Sequence, residues 1–559
     1  MANDIFEKDE YKLNHAGEEL DENIDEVVAA RGEYSSLSER LSNIGGGGVG
    51  EDVTGREFVV NTSTLTAKEG AEIFNDYANN KAVGKFSHAE GNATVSKSDY
   101  SHAEGNGSTA SDKSAHAEGY TTTASGEASH AEGYTTTASG LASHSEGQGS
   151  TASAQYSHAE GIRGSASGRG AHAEGVDTFA SSEAAHAEGF DTRANGSYSH
   201  AEGTETYANG AQSHAEGQGS TTAPNAIAGH AEGRETKANG NYSHAEGLKV
   251  TASGEASHAE GSETQATASE AHAEGVETVA SALGAHAEGY KSQATQTCAH
   301  AEGSETTASG YYSHAEGQST TSSNNSAHAE GYTTTASAQY SHAEGQGSNT
   351  SESATASHAE GQGCTASNLA AHAQGQGCTA SGVASHAAGS STTASGVASA
   401  SFGQGTTASG VSSFAEGQGS RAVGSFCHAG GTGSAAGSDT ATNSFAYGQS
   451  CQATGATSVA MGSVAIASAE SSSALGSHTK ASSANQHVQG KYNTEDTASK
   501  YAFIIGNGTS DTKRSNAFAI DWNGLIYVNN ASTGVNVADL FTTVSDLVTR
   551  VAALEGSTT

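Results

Sequence analysis

The chain has 559 residues, 72 of them Gly and one Pro, with aromatics at 6% and a formal net charge of −38. So few large side chains exclude an ordinary globular core, and the acidic balance disfavours a nucleic-acid partner. Gly- and Ser-rich acidic composition also fits disorder, but the spacing that follows argues against a chain without register.

The first residues, Met1 to Lys8, contain no apolar signal-type stretch, and no run of about 18 apolar residues occurs anywhere, so neither secretion nor membrane insertion is expected. Leu20, Ile24, Val27, Tyr34 and Leu41 form a loose heptad interrupted by Arg31 and Ser38, which predicts a coiled coil within residues 1–44. Gly45 to Gly48 then make a flexible break, opening a Gly-rich linker and lead-in over residues 45–69.

Residues 70–480 are dominated by repetition. Twenty-two histidines between His88 and His386 each begin a His-[Ala/Ser]-x-Gly segment, mostly within Ser-His-Ala-Glu-Gly. Nineteen of the 21 steps between them are 14 residues; His214 to His230 and His342 to His358 are 16. No enzyme site needs one segment so often, whereas a solenoid stacks equivalent coils at a fixed period. Fourteen residues are too few for a helical repeat of roughly 33 or more. They fit two short strands and two tight turns. In the coil from His130, Gly133 and Gly140 mark the expected turns. Small residues recur at the sixth and eighth positions after His (Thr136, Ala138), while the fifth and seventh vary (Asp177, Phe179; Asp191, Arg193; Glu235, Lys237). That alternation puts one set inside and the other outside. About 28 coils between His88 and Ala474, rising roughly 4.8 Å each, predict a shaft on the order of 135 Å.

The His and Glu of each repeat alternate with Ala on the opposite face from it. Further along, the same slots hold Phe445 and Tyr447, then Val459 and Met461, and Ala474 and Leu475 stand near a similar slot. A repeated apolar stripe left exposed is a liability. The stripe, typified by His258 and Glu260, is therefore expected to pack against other copies of the chain. Stacked histidines also gather metal ligands, with His88, His102, His130 and His258 as candidates. Metal-free hydrogen bonding between chains is the reading adopted, because His with Glu two residues on is not the metalloprotease spacing. Cys298, Cys364, Cys378, Cys427 and Cys451 are odd in number and scattered, and read as small packing residues. Thr-x-Thr runs such as Thr135 to Thr137 suggest an ice-binding face, but the variable outward positions argue against a regular one. No catalytic constellation or phosphate-binding loop stands out, so neither an enzyme nor a cofactor is expected.

Residues 481–530 are expected to form a small β domain, and residues 531–559 a trimeric coiled coil. Its seam is Val537, Leu540, Val544, Leu547, Val551 and Leu554, spaced 3-4-3-4-3. At about 20 residues this helix is marginal alone and needs partner strands. Tyr501 to Tyr527, with the only tryptophan, Trp522, is the most apolar and aromatic stretch. Trp522, Tyr501 and Tyr527 are the candidate receptor contacts.

Ser-Val-Ala-Met-Gly (Ser458 to Gly462) and Ser-Val-Ala-Ile (Ser463 to Ile466) resemble the head repeats of trimeric autotransporter adhesins. Ser-His-Ala-Glu-Gly resembles repeats of tail-fibre and appendage proteins of phages and prophages of Gram-positive bacteria. The segment Gly70 to Tyr77 is similar to the start of such arrays. His487 to Asn493, Ile505 to Ser510 and Asp521 to Gly524 look like the small β domain that follows them. The resemblance covers roughly residues 70 to 530. It implies an all-β fold: a left-handed parallel β-roll or β-solenoid with 14-residue coils, homotrimeric, here flanked by short coiled coils.

The missing signal separates the two families, since an autotransporter needs one and a phage fibre released by lysis does not. The expected function is a homotrimeric tail fibre of a phage or phage-tail-like particle that attaches to a host cell. It would be assembled in the bacterial cytoplasm and joined to a baseplate or tail protein through its N-terminus. The expected receptor is a host cell-surface glycan or surface-layer protein. The alternatives are a passive spacer fibre carrying another receptor-binding protein, and a cell-surface adhesin.

Overall fold

A computed structural model describes residues 72–75, 80–529 and 535–556. The N-terminal heptad, the glycine break and the lead-in to residue 69 lie outside the described residues. Within them the chain is a parallel β-solenoid of about 30 coils with a single helix near its end. Each regular coil has a five-residue strand, such as His130–Tyr134, and a two-residue strand, such as Thr137–Ala138. Every strand pairs in parallel with its equivalents one coil away, so His116, His130 and His144 align, as do Thr123, Thr137 and Thr151. The two 16-residue steps keep that register, His214 pairing with His230 and His342 with His358.

Main-chain hydrogen bonds tie coil to coil. The His130 amide donates to the Ser143 carbonyl at 2.8 Å and the Thr137 amide to Ser150 at 2.9 Å. At the corners the direction reverses, with the Thr135 amide donating to Tyr120 and the Ala142 amide to Glu127, both at 2.8 Å. Between the two sheets lies a thin core of small side chains. In the His130 coil these are Ala131, Thr136, Ala138 and Ser143, each no more than 1% exposed. Burying a methyl contributes only about 0.8 kcal/mol, so stability rests on the repeated ladder and on each coil covering the next. The alternation read from the sixth and eighth positions is the alternation found.

The turns differ from expectation. Gly133 has φ +105 inside its strand, but the sharp corners fall two residues later, at Thr135 (φ 58) and Ala142 (φ 52). These left-handed positions are filled mostly by residues other than glycine, because ladder bonds on both sides hold the corner. Gly140 instead meets a packing demand: a Cβ there would stand 1.8 Å from the Ala154 carbonyl oxygen. Where Ser precedes the His, its hydroxyl has a local role. Ser143 Oγ donates to Gly140 O at 2.8 Å and Ser257 Oγ to Gly254 O at 2.8 Å, closing the corner from inside.

The parallel ladder runs past residue 480. His487–Lys491 pairs with Ser473–Ser477, and Tyr501–Asn507 pairs in parallel with His487–Lys491. Asn516–Asp521, Leu525–Val528 and Val535–Asn536 then continue the sheet as antiparallel strands. Val488, Ile504 and Tyr527 give this end a core of larger side chains. The helix Val537–Gly556 follows.

Candidate functional site

The long strand presents three outward positions: the His, the Glu two residues on, and the residue two beyond that. Because coils stack in register, each position becomes a column. From His88 to His386 the successive imidazole centroids lie 4.5 to 4.9 Å apart, most of the rings face to face. His88 and His102 are the exception at the start, meeting edge-on at 4.7 Å. Glutamates align beside them, Glu246, Glu260 and Glu274 in one row. The His258 Nε2 and Glu260 Oε2 atoms are 3.6 Å apart; the same pair is 3.5 Å apart at His88, 3.8 Å at His102 and 3.5 Å at His130.

The Nε2 atoms of twenty of these histidines, including His102 and His130, are shielded from solvent and make no hydrogen bond within the chain. A polar atom held that way costs free energy unless something completes it. Burial pushes the imidazoles of His116, His186, His214 and His272 below their ordinary pKa, and the neighbouring imidazoles push the same way against the glutamates. These imidazoles are thus pushed toward the neutral form beside a row of carboxylates, whose direct opposition is itself unfavourable.

The candidate metal ligands do converge in number. His116, Glu118 and His130, and likewise His130, Glu132 and His144, place ligand atoms within 4.8 Å of one another. Their orientation does not converge. An imidazole binds a metal along its ring plane at roughly 2.0–2.1 Å, and His116 and His130 stack at 4.5 Å with planes only 8° apart. Their nitrogens therefore point side by side rather than at one centre, and a shared ion within one chain needs the rings to turn.

From residue 400 onward the columns change content without changing register. His386 aligns with Ala400, then Phe414, His428, Phe445, Val459 and Ser473. The neighbouring column runs through Phe402, Glu416, Tyr447, Met461 and Leu475. Ser473 and Leu475 are therefore the slot pair, whereas Ala474 is an interior residue at 0% exposure. Phe402 and Phe414 belong to the same set, which sequence reading missed because their segments lack the His and Glu together. Phe445 and Tyr447 stack at 6.1 Å with the His428 ring edge-on to both. Tyr447 and Met461 are exposed, Phe445 and Val459 half-buried.

At the far end, the three receptor-contact candidates separate. Tyr527 is 7% exposed, its hydroxyl donating to Asp521 at 3.2 Å and its ring edge-on to Tyr501 at 5.2 Å. Burial works against the Asp521 carboxylate, but amide bonds from Leu525 and Asn523 and the Tyr527 hydroxyl hold it below the usual range. Tyr501 and Tyr527 thus knit the cap together. Trp522 lies on the surface, its indole donating to Ser499 O at 3.0 Å.

Val537 opens the terminal helix. Leu540, Val544, Leu547, Val551 and Leu554 are all exposed along it, between 47% and 68%. No described helix is long and apolar enough to cross a membrane. The cysteines are free thiols: Cys298 is exposed at a corner, and Cys364, Cys378, Cys427 and Cys451 are buried. Burial pushes the Cys364 thiol up to about 11.

Compared with known proteins, the chain matches no protein-family model and no curated sequence.

Proposed function

We propose that the chain forms a left-handed, homotrimeric tail fibre of a phage or phage-tail-like particle, used to attach to a host cell. The observation that carries the trimer is the terminal helix, whose whole apolar seam from Leu540 to Leu554 is exposed in the single chain. Such a seam is stable only against partner helices, and a 3-4 spacing is that of a coiled coil. The outward columns of the shaft support the same reading. Shielded His nitrogens beside Glu rows, continuing into Phe, Tyr, Val and Met, suit a surface that meets equivalent surfaces of two other chains. In that arrangement a glutamate of one chain completes a histidine of the next, and no metal is needed.

A parallel rod with a distinct cap suits a fibre that spans distance, holds a particle at its N-terminus and recognises a glycan or surface-layer protein at the other end. Trp522 is the proposed receptor contact, with Tyr501 and Tyr527 shaping the cap beneath it. Multi-angle light scattering tests the assembly: the expected mass is near 167 kDa, three times the 55.7 kDa chain. Exchange of residues 487–559 for those of another fibre tests the attachment. Loss or change of cell binding is expected, and binding that survives the exchange refutes recognition at the cap.

A further inference from the structure

Six of the 19 tyrosines share one structural position. Tyr100, Tyr156, Tyr198, Tyr242, Tyr312 and Tyr340 all stand twelve residues after a repeat histidine, at the corner that enters the long strand. All six have φ between 56 and 63, and they are 55% to 65% exposed. A bulky side chain in left-handed backbone is unfavourable, and the fold does not require one. Ala128, Ala142, Ala184 and Ala256 occupy the same corner with φ between 50 and 55. The ladder bond is also unchanged, with the Ala142 amide donating to Glu127 O and the Tyr156 amide to Leu141 O, both at 2.8 Å. Apart from Tyr100, which stacks on Phe86 at 5.5 Å, none of the six packs its ring on another.

The residue before the corner is variable. Before five of the six tyrosines stand Asp99, Gln155, Ser197, Asn241 and Gln339; before the alanines stand Glu127, Leu141, Glu183 and Glu255. An open aromatic face with an amide, hydroxyl or carboxylate beside it thus recurs at five of these corners along one edge of the rod, and Tyr312 has Tyr311 beside it.

We propose that this edge is a carbohydrate-binding ridge that takes an uncharged polysaccharide, one sugar ring per tyrosine. The C–H face of a pyranose packs on the ring, and its hydroxyls bond the neighbouring polar group. A folded protein or a membrane needs contiguous apolar surface. Here the rings are separated by two to five coils, with corners such as Ser114, Gln212 and Ser326 between them. A polyanion is opposed by the net charge of −38. A flexible polymer reaches several isolated rings at once, and each weak contact raises the effective concentration at the next. The ridge lies on the shaft, so it stands apart from recognition at the cap.

Affinity electrophoresis of the full-length protein tests it, in native gels containing dextran, mannan, galactomannan or a soluble β-glucan, with alginate as the polyanion. Retardation by at least one neutral polymer is expected. The variant with all six tyrosines replaced by alanine should bind that polymer about a hundredfold more weakly, in the range of lost multivalency. Light scattering of wild type and variant runs alongside; equal masses are expected, since alanine already fills equivalent corners. The proposal is overturned by no retardation in any neutral polymer, by retardation in alginate alone, or by undiminished binding of the variant. A mass change confined to the variant also overturns it, because the ridge would then be a chain–chain contact. Failure of the trimer reading appears separately, in the wild-type mass.

Discussion

The coils from His88 to His386 and those from Phe402 to Leu475 share one backbone and differ in what they show outward. The first group fills the two central slots with His and, up to Glu360, Glu, and its strand end mixes Tyr120, Tyr134, Ile162, Val176 and Phe190 with polar residues such as Gln218, Gln318 and Gln346. In the second group hydrophobes enter the central slots beside Glu416, His428 and Ser473, while the strand end is polar: Gln404, Gln418, Gln449 and Ser463. Gln418 donates to Gln404 across coils at 3.1 Å, as Gln362 does to Gln346 in the first group. Since the parallel register continues unbroken from His386 to Ser473, the fold is indifferent to slot content. Slot content therefore answers to whatever the slots face, and interior content answers to the coil itself.

The harshest break in that comparison is a change that touches the backbone rather than a slot. Gly261 has φ +116, and a Cβ there would lie 1.9 Å from the Gly275 carbonyl oxygen. Gly261→Val should cost on the order of 3 kcal/mol, with hydrogen exchange accelerating in the coils around His258 and His272. In the same coil His258→Val should change unfolding by less than about 1 kcal/mol, because Val459 already fills the equivalent slot of another coil. Equal effects would mean that slot and backbone are not separable.

Converting a slot from one region's chemistry to the other's is the next test. The double variant His258→Val, Glu260→Ile should keep the wild-type mass, as Val459 and Met461 do in their coil. Glu260→Lys should weaken the assembly by about 1–3 kcal/mol, because it removes the carboxylate that completes a shielded histidine and leaves an unpaired cation where chains meet. Denaturation followed at two protein concentrations checks this; an unaltered midpoint for Glu260→Lys would remove the slots from the interface.

Acid should separate the two regions in a graded way. Folded-state histidines such as His116, His214 and His300 have pKa values below 6.5, from burial first and neighbouring imidazoles second. The unfolded chain therefore takes up protons first. Stability is complete above about pH 6.5 and declines as pH falls through 6.5 toward the depressed values. Hydrogen exchange at pH 7.5 and 5.5 should show lost protection between His88 and His386, and little change in the coils of Phe445 and Val459. Uniform loss along the rod would contradict the assignment.

The smallest effect concerns the thiols. Cys364 and Cys378 fill the interior sixth position that Thr136 and Ser108 fill elsewhere. Either Cys→Ser should therefore shift unfolding by less than about 1 kcal/mol. A thiol reagent at pH 8 should label Cys298 in the native protein and all five cysteines after unfolding. Rapid native labelling of Cys364 would show that the interior opens.

The alternation of Ala131, Thr136 and Ala138 against their neighbours was legible because a period of two, repeated coil after coil, has only one inside. The outward stripe was legible for a related reason: the small-residue frame of Ser444, Ala446 and Gly448, and of Ser458, Ala460 and Gly462, marks Phe445 and Val459 as slot residues even though the step from His428 to Phe445 is 17 residues. The corners were not legible. Ladder bonds clamp Thr135 and Ala142 from both sides, so left-handed backbone tolerates nearly any residue and leaves no glycine signature. For the same reason the tyrosine ridge passed as ordinary variation at a variable position. Trp522 and Tyr527 looked alike as aromatics in one apolar stretch, and only the antiparallel return of the last strands buried one and exposed the other.

By itself the sequence determined the stacking unit, its inside and its outside, since a fixed period with small residues at fixed places admits no other repeating packing. Only the tertiary structure decided where the chain turns, which aromatic residues share an edge, and that twenty histidine nitrogens are shielded without a hydrogen bond in the chain. Those properties arise between coils, from atoms 14 or more residues apart brought to within about 5 Å. No local pattern of residue types encodes them.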